Sequence, residues 1–137
     1  MATYTTTRVK DNLYFVRLHS YPTPQDCYLF LQEMKSAIEN ASGKVYFVID
    51  FRQGMFTEIG MLRQAAKLTT HPNFGASIGF GGNAIKRMYG DIFAEGAQQP
   101  DEVPADMPDT IEEAIAMLEG VAPGITEGID WAGHFAD

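Results

Sequence analysis

The chain has 137 residues, 45% apolar and 20% charged, with a formal charge of −8. That length suits one domain around one core, and a single cysteine, Cys27, excludes an internal disulfide and agrees with a reducing compartment. All ten Lys and Arg lie at or before Arg87, where the running charge is +4, whereas the remainder carries −12; an acidic C-terminal third repels phosphate backbones and argues against a nucleic-acid partner.

No basic leader precedes an apolar stretch and no apolar run approaches bilayer-spanning length, so cytoplasmic residence is the expectation. Thr3 to Arg8 is rich in Thr and Tyr and reads as a strand, Lys10-Asp11-Asn12 as a turn, and Leu13 to Leu18 as a second strand. β-Branched and aromatic residues on either side of a short polar turn predict a β-hairpin. Pro22 and Pro24 bracket Thr23, which predicts an N-cap with proline at the first helical position. From Asp26 to Ala41, Cys27, Phe30, Leu31, Met34, Ala37, Ile38 and Ala41 recur at helical spacing, and Ser42-Gly43 is the expected stop.

Lys44 to Phe51 follows as a near-continuous apolar strand, which implies burial on both faces of a sheet. Thr57 stands where an N-cap is expected for a helix over Glu58 to Thr70, with Ile59, Leu62, Ala65, Ala66 and Leu68 as core contacts. His71-Pro72 ends that helix. Phe74 to Phe80 reads as a third interior strand whose small residues permit close helix packing, and Gly81-Gly82-Asn83 turns into a helix from Ala84 to about Glu95. Gly96 to Pro108 is acidic and proline-bearing, hence loop, with an edge strand near Glu102 to Ala105. Asp109 or Thr110 caps a last helix over Ile111 to Glu119, and residues 121–137 form an acidic, glycine-containing, extended tail.

A hairpin followed by alternating helices and strands predicts an α/β domain over residues 1–120, with a mixed four- to five-stranded sheet and about four helices. The strand Val45-Tyr46-Phe47-Val48-Ile49 ending in Asp50 before a capped helix, together with Thr110-Ile111-Glu112-Glu113-Ala114-Ile115-Ala116-Met117-Leu118, resembles the STAS domain family in its SpoIIAA-like, anti-anti-sigma-factor branch. The resemblance covers Leu13 to Leu118 and rests on pattern more than on signature residues. It implies a non-enzymatic regulatory domain that binds a protein partner and carries no cofactor. In the phosphoswitch members, an Asp-Ser-Ser-Gly-like motif at this helix start holds the acceptor serine. Here the stretch is Phe56-Thr57-Glu58-Ile59-Gly60, one residue shorter, with Glu58 or Ile59 at the acceptor position and Thr57 as the neighbouring hydroxyl.

Ligands of open α/β sheets lie beyond the carboxyl ends of the parallel strands. If the two interior strands are neighbours, Asp50, Arg52, Thr57, Glu58, Asn83 and Lys86 line one cleft, suited to a protein surface or to a small anionic or lipid-like ligand. The plainer alternative, which we favour, has Asp50 accepting turn hydrogen bonds and Thr57 capping its helix. Gly79-Phe80-Gly81-Gly82-Asn83-Ala84 fits G-x-G-x-x-A, in which Gly81 and Gly82 would bring backbone N–H groups to a phosphate. The pattern comes late in the chain, however, and a steric turn is the stronger reading.

His19, His71 and His134 lack ligand spacing, so no metal site is expected. Cys27 reads as a core residue, and no nucleophile elbow is present. The adjacent Glu112 and Glu113 complement a helix dipole. An enzyme using Asp50 or Glu58 as a general base is the least supported class. Ile125, Ile129, Trp131 and Phe135 in the tail either pack back on the domain, the favoured reading, or dock on a second copy as a homodimer.

Overall fold

A computed structural model describes residues 3–81 and 108–135. Its first strand, β1 (Tyr4–Lys10), pairs antiparallel with β2 (Leu13–Leu18), as the hairpin pattern predicts. The first strand runs two residues further than its composition suggests, because the register shifts between Arg8 and Lys10 and lets pairing continue to the turn. Then come α1 (Pro24–Glu39), β3 (Val45–Asp50), α2 (Ile59–Leu68) and β4 (Phe74–Phe80). After the undescribed stretch come α3 (Ile111–Val121) and the short α4 (Trp131–Phe135). The sheet order is β1-β2-β3-β4, with β2, β3 and β4 parallel. The helix expected from Ala84 and the edge strand near Glu102 lie outside the described residues, as do Gly82, Asn83 and Lys86.

The start of α1 is as the sequence implies: the Thr23 hydroxyl accepts the Asp26 N–H at 3.2 Å and Pro24 opens the helix. Its end is not. The helix stops at Glu39 with Asn40 as C-cap, ahead of Ser42-Gly43. Asn73 Nδ2 donates to the Ile38 and Ala41 carbonyls at 3.0 and 3.1 Å, so a side chain from the turn before β4 satisfies groups that a glycine turn would otherwise serve.

β3 is buried at all six positions, and its alternation divides the core. Val45, Phe47 and Ile49 join Val16 and Leu18 against Phe30, Leu31 and Ile38 of α1 and Met61 and Leu62 of α2. Tyr46 and Val48 join Phe15, Ile78 and Phe80 on the other face, beneath Ala114 and Leu118 of α3 and Ile125 and Phe135 further on. Full burial of each such large apolar side chain contributes about 1.5–3 kcal/mol. Ile59, expected in the core, is 47% exposed at the start of α2, and Met61 takes the buried position instead. At Gly75 the close neighbour is a strand rather than a helix, since a Cβ there would lie 2.4 Å from the Tyr46 ring.

Residues 122–135 are not extended. Turns carry the chain to α4, whose Trp131 and Phe135 rings lie 4.5 and 4.8 Å from the Phe15 ring. Glu119 organises this return by accepting the N–H groups of Gly124 and Thr126 and the Thr126 hydroxyl. Gly124 and Gly128 sit at φ of +87° and +75°, the left-handed conformation that lets so short a segment reverse direction.

Candidate functional site at the carboxyl end of β3

Asp50 ends the central strand with its side chain on the face covered by α3 and α4, and it is 1% exposed. A carboxylate so enclosed needs a cation and donors. Arg52 supplies both. Its backbone N–H reaches Asp50 Oδ1 at 2.9 Å, its Nε lies 3.0 and 3.1 Å from the two carboxylate oxygens, and its Nη2 lies 2.7 Å from Oδ2. Arg17 is the direct cross-strand neighbour of Asp50 in the parallel ladder, with Nε 3.8 Å from Oδ2.

Arg52 also ties down the C-terminal segment. Its Nη2 donates to the Phe135 carbonyl at 2.6 Å, and its guanidinium stands 5.5 Å from the centre of the Phe80 ring. Gly81 makes room for this arm: it sits at φ +87°, and a Cβ would fall 2.4 Å from Arg52 Cγ. Among the expected site residues, then, Asp50, Arg52 and Gly81 do converge. They form a clamp that joins the end of β3, the end of β4 and the end of α4.

Thr57 and Glu58 belong to a different local arrangement. Thr57 is exposed and does not cap α2; the N-cap is Glu58, whose Oε1 accepts the Gly60 N–H at 3.3 Å. The one-residue shift follows from backbone conformation, since Glu58 has the extended φ and ψ of a cap (−78°, 103°) and its side chain is long enough to fold back. Behind this turn lies buried Cys27. Desolvation raises its thiol pKa, and backbone N–H groups of Glu58 and Thr57 oppose that shift without cancelling it. Such a thiol is a poor nucleophile.

Beside Glu58 the surface is apolar. Ile59 is exposed, and Tyr28 of α1, 38% exposed, brings its hydroxyl to 2.6 Å from where a Gly60 Cβ would stand. The loop after β3 is held close to the loop after β2, for a Cβ on Gly54 would meet the Ser20 carbonyl oxygen at 2.0 Å. Two residues of interest escaped the sequence reading. Arg17 is invisible without the register that sets it beside Asp50, and Tyr28 looks like an ordinary non-core helix position. Among the described residues no three His, Cys, Asp or Glu gather as a metal site, and no helix is long and apolar enough to cross a membrane.

No family model matches the sequence, and no curated protein matches it. Solved structures do. The anti-sigma factor antagonist SpoIIAA in its unphosphorylated form is similar at a TM-score of 0.54 and 14% identity, over 86% of this chain and 97% of that one. The Bacillus cell fate determinant SpoIIAA in the phosphorylated form is similar at a TM-score of 0.50 and 15% identity, over 84% of this chain and 98% of that one. The mixed sheet led by a hairpin and covered by helices is therefore the fold of the anti-sigma factor antagonist SpoIIAA, the STAS fold that the sequence pattern resembles.

Proposed function

We propose that this chain is a non-enzymatic regulatory domain that binds a protein partner through the start of α2, and that it does so without a phosphoacceptor serine. The observation that carries the reading is the contrast between the two halves of the expected site. The carboxylate of Asp50 is occupied by Arg52, while seven residues on, past Phe56, the chain presents exposed Thr57, the Glu58 carboxylate and the exposed side chains of Ile59 and Tyr28. An apolar centre rimmed by polar groups is the usual anatomy of a protein-binding surface. The fold supports the same reading, because the similar structures are of an anti-sigma factor antagonist.

The position corresponding to the acceptor serine carries Glu58 or Ile59, neither of which offers a hydroxyl. Glu58 places a permanent negative charge there, at a helix N-terminus that favours one. The partner face is therefore set by constant charge and apolar contact rather than by a phosphate. The test compares affinity capture by the wild-type chain with capture by Ile59→Glu and Glu58→Arg, with thermal melting as the control for folding. A protein retained by the wild type and lost by both variants supports the surface; equal retention by all three overturns it. Phosphate found on Thr57 in protein isolated from its native cells would overturn the constant-charge part.

A further inference from the structure

A concavity lies on the face of the sheet opposite α2, beside α4 and the hairpin. Its volume is about 190 Å³, and Thr5, Thr7, Phe15, Arg17, His19, His134 and Phe135 line it. The strand register explains the gathering. Thr5 pairs with Arg17 and Thr7 with Phe15 across β1 and β2, so these four side chains share one face. His134 and Phe135 arrive from α4, with the His134 ring 5.0 Å from Phe15 in an edge-on arrangement. The Thr5 hydroxyl and His19 Nε2 are 2.7 Å apart, which fixes the imidazole at the rim.

Two guanidinium groups face one carboxylate at this edge. The Asp50 oxygens are taken up by four contacts from Arg52, so Arg17 is left as the surplus cation. Its Nε is shut off from solvent and has no hydrogen-bond partner among the described residues, since 3.8 Å to Asp50 Oδ2 exceeds hydrogen-bond length. The rest of the Arg17 side chain, 23% exposed, lines the concavity and offers its charge there. The remaining wall is a pair of phenyl rings, Phe15 and Phe135, with centroids 4.8 Å apart.

We infer that this concavity is a binding site for a small planar carboxylate. The carboxylate meets Arg17 and the threonine hydroxyls, and the apolar body of the ligand lies against Phe15 and Phe135. A guanidinium matches a carboxylate in shape and charge. A depression of this volume suits a compact molecule of benzoate size. The site stands apart from the partner surface at α2 and does not depend on it.

The test is a titration of the isotope-labelled chain with benzoate, acetate and inorganic phosphate, followed by NMR. Benzoate is expected to give saturable shifts at Arg17, His19 and His134 but not at Ile59, and to bind more tightly than acetate or phosphate. Arg17→Gln should weaken benzoate at least tenfold. Thr7→Val, which leaves the Asp50 cluster untouched, should weaken it severalfold and serves if Arg17→Gln fails to fold. Shifts that do not saturate, a preference for phosphate, or equal benzoate affinity in the wild type and Thr7→Val would each overturn the inference.

Discussion

Arg52→Ala is the sharpest test of the clamp at the end of β3. The substitution removes the nearest cation from a carboxylate that is 1% exposed, together with the hydrogen bond to the Phe135 carbonyl. Breaking a buried ion pair from one side costs about 3–5 kcal/mol. Two features of the structure reduce that figure. The Arg52 side chain is itself 30% exposed, and Arg17 stands close enough to compensate part of the stranded charge. The expected loss is therefore about 2–3 kcal/mol, a large share of the roughly 5–15 kcal/mol that holds a domain of this size together. Urea unfolding followed by far-UV circular dichroism measures it. A cycle with Asp50→Asn and Arg52→Met separates the pair from its surroundings, and the double variant should recover part of the loss because no buried carboxylate is left unmatched. Trp131 fluorescence gives an independent view, since α4 ends at the carbonyl that Arg52 holds. A loss below about 0.5 kcal/mol in Arg52→Ala, the range of ordinary surface substitutions, would refute the clamp.

Other consequences are as direct. Thr23→Ala should destabilise by about 1 kcal/mol through loss of the α1 cap, whereas Thr57→Ala should stay within about 0.5 kcal/mol because Glu58 is the cap of α2; equal costs would contradict the assignment. The Cys27 thiol, raised by burial, should react with a disulfide reagent only as fast as the protein unfolds, and rapid stoichiometric labelling of the native chain would contradict its enclosure. Glu119 has its pKa lowered below the ordinary 4.5 by the Thr126 hydroxyl first and the Gly124 N–H second. A depressed folded value means stability that is present above the unfolded value and lost as pH falls through the folded one, so this return should loosen only in acid below pH 4.5. Carbon NMR titration reads the midpoint, which Thr126→Val should raise.

Features governed by near neighbours in the chain were legible in the sequence. The bounds of β2 and β4 and the Thr23 cap all follow from patterns within a few residues. What was not legible depends on residues far apart in the chain. Asn73, more than thirty positions away, supplies donors at the end of α1. The C-terminal segment packs back on the domain as its apolar residues suggest, but its turns and short helix, and the strands that bury Ile125 and Phe135, depend on neighbours that only the fold brings near. The preferred reading of Asp50 as an acceptor of turn hydrogen bonds holds for the Arg52 N–H, but its side-chain partners come from Arg52 just past the strand end and from the register with β2.

That difference alters what the end of β3 means. A carboxylate at a strand end suggests a ligand site only while its charge is unspent, and here one arginine spends it on architecture. The same arm reaches the end of α4, so α4 and Phe135 are held over the sheet by the residue that neutralises Asp50. Gly81 belongs to this arrangement, because only a residue without Cβ clears the arm at φ +87°. With Asp50 committed, what the expected cleft leaves open among the described residues is the start of α2, where Ile59 is exposed against its helical pattern and Glu58 is half-engaged in capping. With Arg17 not needed for neutrality, the surplus cation is left facing the concavity on the other side of the sheet. One buried pair thus underlies both proposals: it removes the central strand end from solution chemistry and leaves the proposed partner face on one side and Arg17 beside the concavity on the other.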